Sequence, residues 1–148
     1  MKDKAGYMRR VIAIVLMGFA ISSCSKEDAS VKNNEVVRQM IDAFNRHDWE
    51  KMAGYYTEKA DFLDPSFGIT YVSKSRTETV EKYAGYQRMI PDIHDEIVDQ
   101  YSSGDKVIIE FVSTGTISDS IQFRLPIISV LTLKDGMIVK DATYYDLN

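Results

Sequence analysis

The C-terminal part of the chain contains four β-rich runs that follow one another without a helical pattern between them. They cover residues 93–101, 106–117, 120–133 and 137–145. Each run is rich in branched and aromatic residues, and polar turn residues separate the runs. Asp135-Gly136 is a strong hairpin signal, because a type I′ turn requires positive φ at both central residues. Strands joined by such short turns pair antiparallel, so the pattern predicts a four-stranded meander.

Three helices are predicted before the meander. Apolar residues recur at helical spacing over residues 37–46 and again over residues 49–56, where Asp48 can cap the second helix. Residues 75–78 read Ser-Arg-Thr-Glu, which is a capping-box sequence, and the third helix should end before Pro91.

The segment between the second and third helices predicts a short strand. Residues 60–64 favour a strand that Pro65 ends, because proline cannot donate to a β-ladder. Residues 66–71 indicate a turn or a brief strand. The whole order predicts an α+β fold, in which three helices pack on a curved, mostly antiparallel sheet and leave a cavity at one end.

Residues 1–23 are predicted to lie outside this domain. Basic residues come first, residues 11–20 form an apolar run of signal-peptide length, and small residues precede Cys24, the only cysteine. The apolar run is shorter than the roughly 20 residues that a membrane-spanning helix requires. Cleavage before Cys24 would leave 125 of the 148 residues, which is enough for one domain with its own core.

This leader resembles a bacterial lipoprotein signal. The resemblance implies that Cys24 is lipidated, that residues 24–34 are a lipidated cysteine and polar tether, and that the domain covers residues 35–148. It also implies a location in the cell envelope, anchored to the outer membrane. Residues 25–28 (SKED) are similar to the signal that exports some Bacteroidetes-type lipoproteins to the cell surface. A solvated tether would look the same, so the periplasmic face and the cell surface both stay open.

Composition argues against several partners and cofactors. The formal net charge is -4, and removal of the basic leader would make it about -7. Nucleic acid is not an expected partner, because phosphate binding requires a basic stripe. His47 and His94 are the only imidazoles and lie far apart, without a second histidine or cysteine pair to complete a metal site. No dinucleotide, P-loop or serine-hydrolase motif occurs, so we expect neither a metal nor a cofactor.

Four segments carry a family resemblance. They are residues 43–50 (AFNRHDWE), 56–65 (YTEKADFLDP), 91–94 (PDIH) and 104–107 (GDKV). Their order is similar to that of the SnoaL-like branch of the nuclear transport factor 2-like superfamily, over about residues 35–146. The resemblance implies a cone-shaped α+β barrel that binds a small, mostly apolar molecule. Members include polyketide cyclases, ketosteroid isomerases, dehydratases, epoxide hydrolases and proteins that only bind ligands, so the fold does not name a reaction.

Asp64 is the first candidate for catalysis. Residues 36–65 resemble the corresponding stretch of ketosteroid isomerase without a gap, and Asp64 falls on the general-base aspartate of that enzyme, which also precedes a proline. A carboxylate at the mouth of an apolar pocket can have a raised pKa and can transfer protons. The alternative is an Asp-Pro turn in which the carboxylate accepts a backbone N–H.

The resemblance also shows where the isomerase pattern fails. Met40 occupies the position of the oxyanion-binding tyrosine, and an isoleucine within residues 125–128 replaces the protonated aspartate. Removal of one oxyanion donor costs roughly 100- to 1000-fold in rate, so steroid isomerisation is not expected. Met40, Ile128 and Phe111 are instead predicted to contact an apolar ligand.

His94 and Asp92 form a second candidate pair. On a strand that begins near Asp92 the two side chains share a face, so His94 could relay a proton or bind the ligand with Asp92 nearby. The alternative is a surface histidine. Tyr144 and Tyr145 face opposite sides of the last strand, so one of them can reach the cavity, and Tyr144 is our candidate.

Three functions remain open at this point. The first is a lipid-anchored binding domain, with acid–base chemistry of a cofactor-independent isomerase, cyclase or dehydratase through Asp64 and His94 or a tyrosine. The second is a non-catalytic ligand-binding or accessory module, and the third is a tethered scaffold with a filled pocket.

Residues 125–133 are apolar on both faces, which indicates cover on both sides of the sheet and a homodimer through its outer face.

Overall fold

The structure of the protein is a computed structural model that describes residues 21–117 and 121–146. The helices are α1 (Ile21–Asn45), α2 (Trp49–Gly54) and α3 (Arg76–Met89). The strands are β1 (Tyr56–Leu63), β2 (Val72–Ser75), β3 (His94–Ser103), β4 (Lys106–Ile117), β5 (Ile121–Lys134) and β6 (Met137–Tyr144). A single 3-10 turn, Pro65–Phe67, follows β1.

The six strands form one sheet in the order β2-β1-β6-β5-β4-β3. Only β1 and β6 run parallel; the other neighbours are antiparallel. The predicted meander is therefore confirmed, and β1 and β2 extend it at the β6 edge. Three helices on a curved, mostly antiparallel sheet match the predicted α+β cone.

Local signals in the sequence account for several boundaries. Asp135 and Gly136 have φ values of 52° and 76°, as the predicted hairpin turn requires. Ser75 and Glu78 form the capping box at the start of α3, which ends at Met89 before Pro91. The Asp48 carboxylate caps α2 by accepting from the Lys51 N–H at 3.1 Å.

The first helix is longer than predicted. It begins at Ile21 and includes residues 29–34, for which we predicted a polar tether. The side-chain amides of Asn33 and Asn34 donate to Gly104 O and Ser102 Oγ, at 3.3 and 3.0 Å, so these polar residues bind the β3–β4 hairpin. The opposite error occurs after α2, where Tyr56 was predicted to be helical and instead begins β1.

The predictions for the leader fall largely outside the described part of the chain. Residues 1–20 are not among the described residues, and the Cys24 side chain is not described either. Within residues 21–117 and 121–146, no helix combines the length and apolarity needed to cross a membrane.

The core lies between the helices and one face of the sheet. Val37 of α1 and Met52 of α2 are almost completely buried against Val107, Leu131 and Ile138 of the strands. Burial of each such side chain contributes about 1.5–3 kcal/mol to folding. This packing fixes α1 and α2 over one part of the concave face and leaves space over the rest.

Candidate functional site

A cavity of about 470 Å³ lies between the helices and the concave face of the sheet. This volume falls within the range of small-molecule sites. Its walls are mainly apolar, and its aromatic side chains are Phe44, Tyr56, Tyr83, Tyr86, Phe111, Phe123 and Tyr145. The third function considered above, a scaffold with a filled pocket, is therefore not favoured.

Asp95 of β3 is the most unusual group in the cavity wall. Its side chain is buried, and within the described residues its Oδ1 atom has no hydrogen-bond partner. Burial raises the pKa of Asp95 to about 6, although the nearby Ser113 hydroxyl opposes part of this rise. Asp95 lines the cavity, and a buried carboxylate with a raised pKa in a cavity wall is a candidate for a functional site.

The backbone of Asp95 is held rigidly by the end of α1. The Asn45 side chain accepts from the Asp95 N–H and donates to the Asp95 carbonyl, both at 2.8 Å. These two hydrogen bonds have the pattern that a neighbouring β-strand would provide, and they fix β3 against α1. The Asp95 carboxylate is thus positioned by regular secondary structure and not by a loop.

A second buried carboxylate, Asp141 of β6, is fully hydrogen-bonded. The Tyr56 hydroxyl donates to its Oδ2 at 2.7 Å, and the Thr143 hydroxyl donates to its Oδ1 at 3.0 Å. Burial raises the pKa of Asp141, while the bonds from Tyr56 and Thr143 act in the opposite direction. Ser129 lies 2.6 Å from Thr143 Oγ1 and extends this network along the cavity wall.

Asp64 has a different environment from the one its family resemblance implied. Its carboxylate forms an ion pair with Lys82 at 2.6 Å and accepts from the Ser66 N–H and the Tyr145 hydroxyl at 2.8 and 2.9 Å. Burial favours a higher pKa, but Lys82 and Ser66 outweigh it and hold the pKa of Asp64 below its ordinary value. The side chain is not part of the cavity lining.

The Asp-Pro turn that we left open for Asp64 is therefore the arrangement observed. Both carboxylate oxygens are occupied, and a lowered pKa makes the group a weak base. Two neighbours link it to the cavity wall: Tyr145, which lines the wall and donates to Asp64, and Lys82, whose ammonium lies 5.3 Å from the centre of the lining Tyr83 ring. We find no geometric support for Asp64 as the group that meets a ligand.

Asp92 and His94 also lie away from the cavity. Both are exposed, and Asp92 accepts from the Thr116 N–H and hydroxyl at 2.8 and 2.6 Å. Asp92 lies in the turn before β3, and His94 is the first residue of that strand. Because side chains alternate along a strand, Ile93 and Asp95 point inward instead.

The same alternation separates the remaining candidates. Met40 and Phe111 line the cavity, and their contact with a ligand stays a prediction. Ile128 and Tyr144 face each other across β5 and β6 on the outer face, where 44% and 52% of their surfaces are exposed. Tyr145 is the tyrosine of the last pair that reaches the cavity.

Asp95 and Asp141 were missed by our sequence analysis. The usable signal was an acidic residue on the apolar face of a strand, as in Ile93-His94-Asp95-Glu96-Ile97, where Asp95 lies between two inward isoleucines. We instead chose the face that contains the histidine. The Tyr56–Asp141 pair joins β1 to β6 over 85 positions, and no local pattern predicts such a contact.

Comparisons with known proteins agree with this fold. A protein with a ketosteroid isomerase-like fold from Catenulispora acidiphila, solved in complex with trimethylamine, has 23% identity and a TM-score of 0.68, over 76% of this chain and 86% of that one. A Mycobacterium tuberculosis LEH-like epoxide hydrolase has 14% identity and the same TM-score, over 80% and 86%.

A third structure of the same fold is IdmH of Streptomyces antibioticus, a suggested polyketide cyclase. It has 21% identity and a TM-score of 0.68, over 77% of this chain and 91% of that one. No curated protein matches the sequence. The sequence profile of the SnoaL-like domain, however, matches residues 37–140. Because that match spans most of the chain and includes the strands around the cavity, the protein belongs to the SnoaL-like domain family.

Proposed function

We propose that this domain binds a small, mostly apolar molecule in its cavity and that Asp95 is the polar contact of that molecule. The observation that carries the proposal is a cavity of about 470 Å³ with mainly apolar walls and the Asp95 carboxylate among its lining residues. A ligand that donates a hydrogen bond to this carboxylate would offset part of the cost of its burial. The surrounding aromatic walls offer apolar contact to the rest of the molecule.

A cavity-filling variant tests this proposal. Ile127 lines the cavity, whereas Ile69 is 96% exposed, so Ile127→Trp fills the cavity and Ile69→Trp is a matched surface control. We expect small apolar compounds that raise the melting temperature of the natural protein to do the same for Ile69→Trp and to have no effect on Ile127→Trp. Equal stabilisation of all three proteins would place the binding site elsewhere.

Acid–base catalysis of the isomerase, cyclase or dehydratase type is the second candidate function. A pKa near 6 would allow the Asp95 carboxylate to take a proton from a carbon acid at neutral pH. The Tyr56 and Thr143 hydroxyls both donate to Asp141, so neither is available as a partner acid, and this favours binding alone. Deuterium incorporation at carbon in a bound ligand in D2O, lost in Asp95→Asn, would establish catalysis. No exchange in any ligand that binds would leave a non-catalytic binding or accessory module.

We also propose that Cys24 carries a lipid anchor and that the domain acts at the outer membrane of the cell envelope. The basic, then apolar leader before the only cysteine supports this proposal. The protein should partition with the membrane fraction. Cys24→Ala should prevent lipidation, so the variant should either stay as the uncleaved precursor or appear in the soluble fraction. A Cys24→Ala variant that is processed and retained like the natural protein would contradict lipidation.

A homodimer through the outer sheet face remains part of the proposal. Apolar side chains there are exposed in the single chain, among them Ile108, Ile128 and Tyr144. Exposed apolar patches of this kind commonly mark interfaces. Light scattering of residues 24–148 should give twice the monomer mass at micromolar concentration, and a monomer would exclude this interface.

A further inference from the structure

We infer that the Tyr83 hydroxyl is the hydrogen-bond donor of the cavity and that it selects, among small apolar molecules, those with an acceptor oxygen such as a carbonyl. This inference rests on the proposed binding function and deepens it by naming a specificity-determining residue and the chemical group that it recognises. Three features of the described residues support it: the other hydroxyl protons of the wall are in use, the Tyr83 hydroxyl opens to the cavity, and its ring is held in place.

The hydroxyl protons around Asp141 are already in use. Tyr56 and Thr143 both donate to its carboxylate. Because the Thr143 proton is taken, the Ser129 hydroxyl must be the donor in its contact with Thr143 Oγ1, which is 2.6 Å away. This part of the wall therefore has no hydroxyl proton to offer to a ligand.

The other hydroxyls on the sheet side are engaged in the same way. Tyr145 donates to Asp64 at 2.9 Å, and the Ser113 hydroxyl hydrogen-bonds to the Asp95 carboxylate. Arg124 is the one basic residue of the described lining, and it is exposed to water. A donor inside the cavity must therefore come from the helix side.

Tyr83 of α3 lines the cavity from that side. Its hydroxyl makes no hydrogen bond within residues 21–117 and 121–146. Among these residues, Asp95 Oδ1 alone is a fully buried side-chain N or O atom without a partner, so the Tyr83 hydroxyl is not fully buried and is reached from the cavity. Burial and the nearby Asp141 carboxylate raise the pKa of Tyr83 well above its ordinary value. Tyr83 therefore keeps its proton and acts as a hydrogen-bond donor, not as an acid.

The Tyr83 ring is fixed by its neighbours. It stacks on Trp49 with ring centroids 5.9 Å apart, and it meets Phe44 edge to face at 5.6 Å. Trp49 is held in turn, because its indole N–H donates to Gln87 at 2.7 Å. The Lys82 ammonium lies 5.3 Å from the centre of the Tyr83 ring, so a ligand meets the hydroxyl and not the ring face. A donor that is held in place before binding loses little entropy on binding.

Acetophenone and α-methylstyrene separate this hydrogen bond from apolar contact. The two molecules have the same shape, and the carbonyl oxygen of the first is replaced by a methylene group in the second. We expect NMR titrations to show that Tyr83→Phe raises the Kd of acetophenone about three- to tenfold and leaves the Kd of α-methylstyrene unchanged. In the natural protein the carbonyl carbon of bound acetophenone should shift downfield from its position in an apolar solvent, and Tyr83→Phe should remove this shift.

Two further variants locate the donor. Tyr55→Phe removes an exposed hydroxyl outside the cavity and should keep the affinity for both probes. Tyr86 also lines the cavity, one turn further along α3, so Tyr86→Phe tests which phenol donates. A loss of acetophenone affinity in Tyr86→Phe but not in Tyr83→Phe would overturn the inference. Equal losses for both probes in Tyr83→Phe, or a carbonyl shift in the natural protein equal to that in an apolar solvent, would also overturn it.

These results distinguish the inference from the binding function on which it rests. If α-methylstyrene binds but acetophenone shows neither the loss of affinity nor the carbonyl shift, the inference is overturned while the binding function stands. Failure of both probes to bind at millimolar concentration would overturn the inference. Together with a lack of effect of Ile127→Trp, it would also overturn the binding function.

Discussion

Replacing Asp95 by asparagine is expected to stabilise the ligand-free domain at about pH 7.5. The pKa of Asp95 is about 6 in the folded protein, against an ordinary value of 3.8. The folded state therefore binds the proton more tightly than the unfolded state. The free energy of unfolding is then greatest below the unfolded pKa and falls as the pH rises through about 6. Between low and neutral pH the free energy of unfolding falls by at most about 3 kcal/mol through Asp95. Asp95→Asn should recover about 1–3 kcal/mol of this free energy at neutral pH.

Urea denaturation at several pH values measures this effect. From about pH 5 to pH 7.5 the natural protein should lose about 1–2 kcal/mol through Asp95, and the Asp95→Asn variant should lose less. Asp141, whose pKa is also raised, acts in the same direction. The pKa of Asp64 is lowered in the folded protein, so Asp64 loses its contribution to the free energy of unfolding only as the pH falls below the ordinary pKa of an aspartate. Glu96→Gln is the control, and an equal gain in that variant would mean that general charge repulsion, not burial, is responsible.

Removing the Tyr56 hydroxyl should have an effect of the opposite sign. In Tyr56→Phe the buried Asp141 carboxylate loses the hydrogen bond to its Oδ2. A buried acceptor left without its donor costs about 1–3 kcal/mol of unfolding free energy. The pKa of Asp141 should also rise further, so the loss should be larger at neutral than at acidic pH.

The adjacent tyrosine offers a matched control for that experiment. The Tyr55 hydroxyl donates to Gln39 at 3.2 Å in an exposed position, so Tyr55→Phe should change the unfolding free energy by less than about 0.5 kcal/mol. Equal losses in both variants would show that the Tyr56–Asp141 bond has no special contribution. A stable Tyr56→Phe variant with unchanged pH dependence would contradict the stabilising role of the Tyr56–Asp141 hydrogen bond.

The fold could be predicted because its signals are local. Asp135-Gly136 defines the last hairpin, Ser75 and Glu78 define the start of α3, and Pro91 limits its end. The helical residues 29–34 were missed because their polar composition resembles a tether. Their asparagines are satisfied by the β3–β4 hairpin, which is about 70 positions away.

The site was harder to predict because it depends on which face of the sheet each strand side chain points to. A shift of one position moves a side chain to the other face of a sheet. Our choices of His94 over Asp95, and of Ile128 over Ile127, each missed the cavity by one residue. Asp64 was placed by resemblance, and its role depends on Lys82, which is 18 positions further along the chain and on a different element.

An NMR titration of the Asp95 carboxyl carbon, assigned with the Asp95→Asn variant, tests the central claim most directly. If the Asp95 carboxylate is buried in the wall of the apolar cavity, its pKa should be about 6 in the free protein and should change when a small apolar compound binds there. A pKa near the ordinary value of 3.8 that does not respond to any bound compound would show that Asp95 is solvated or already paired, and would contradict the account.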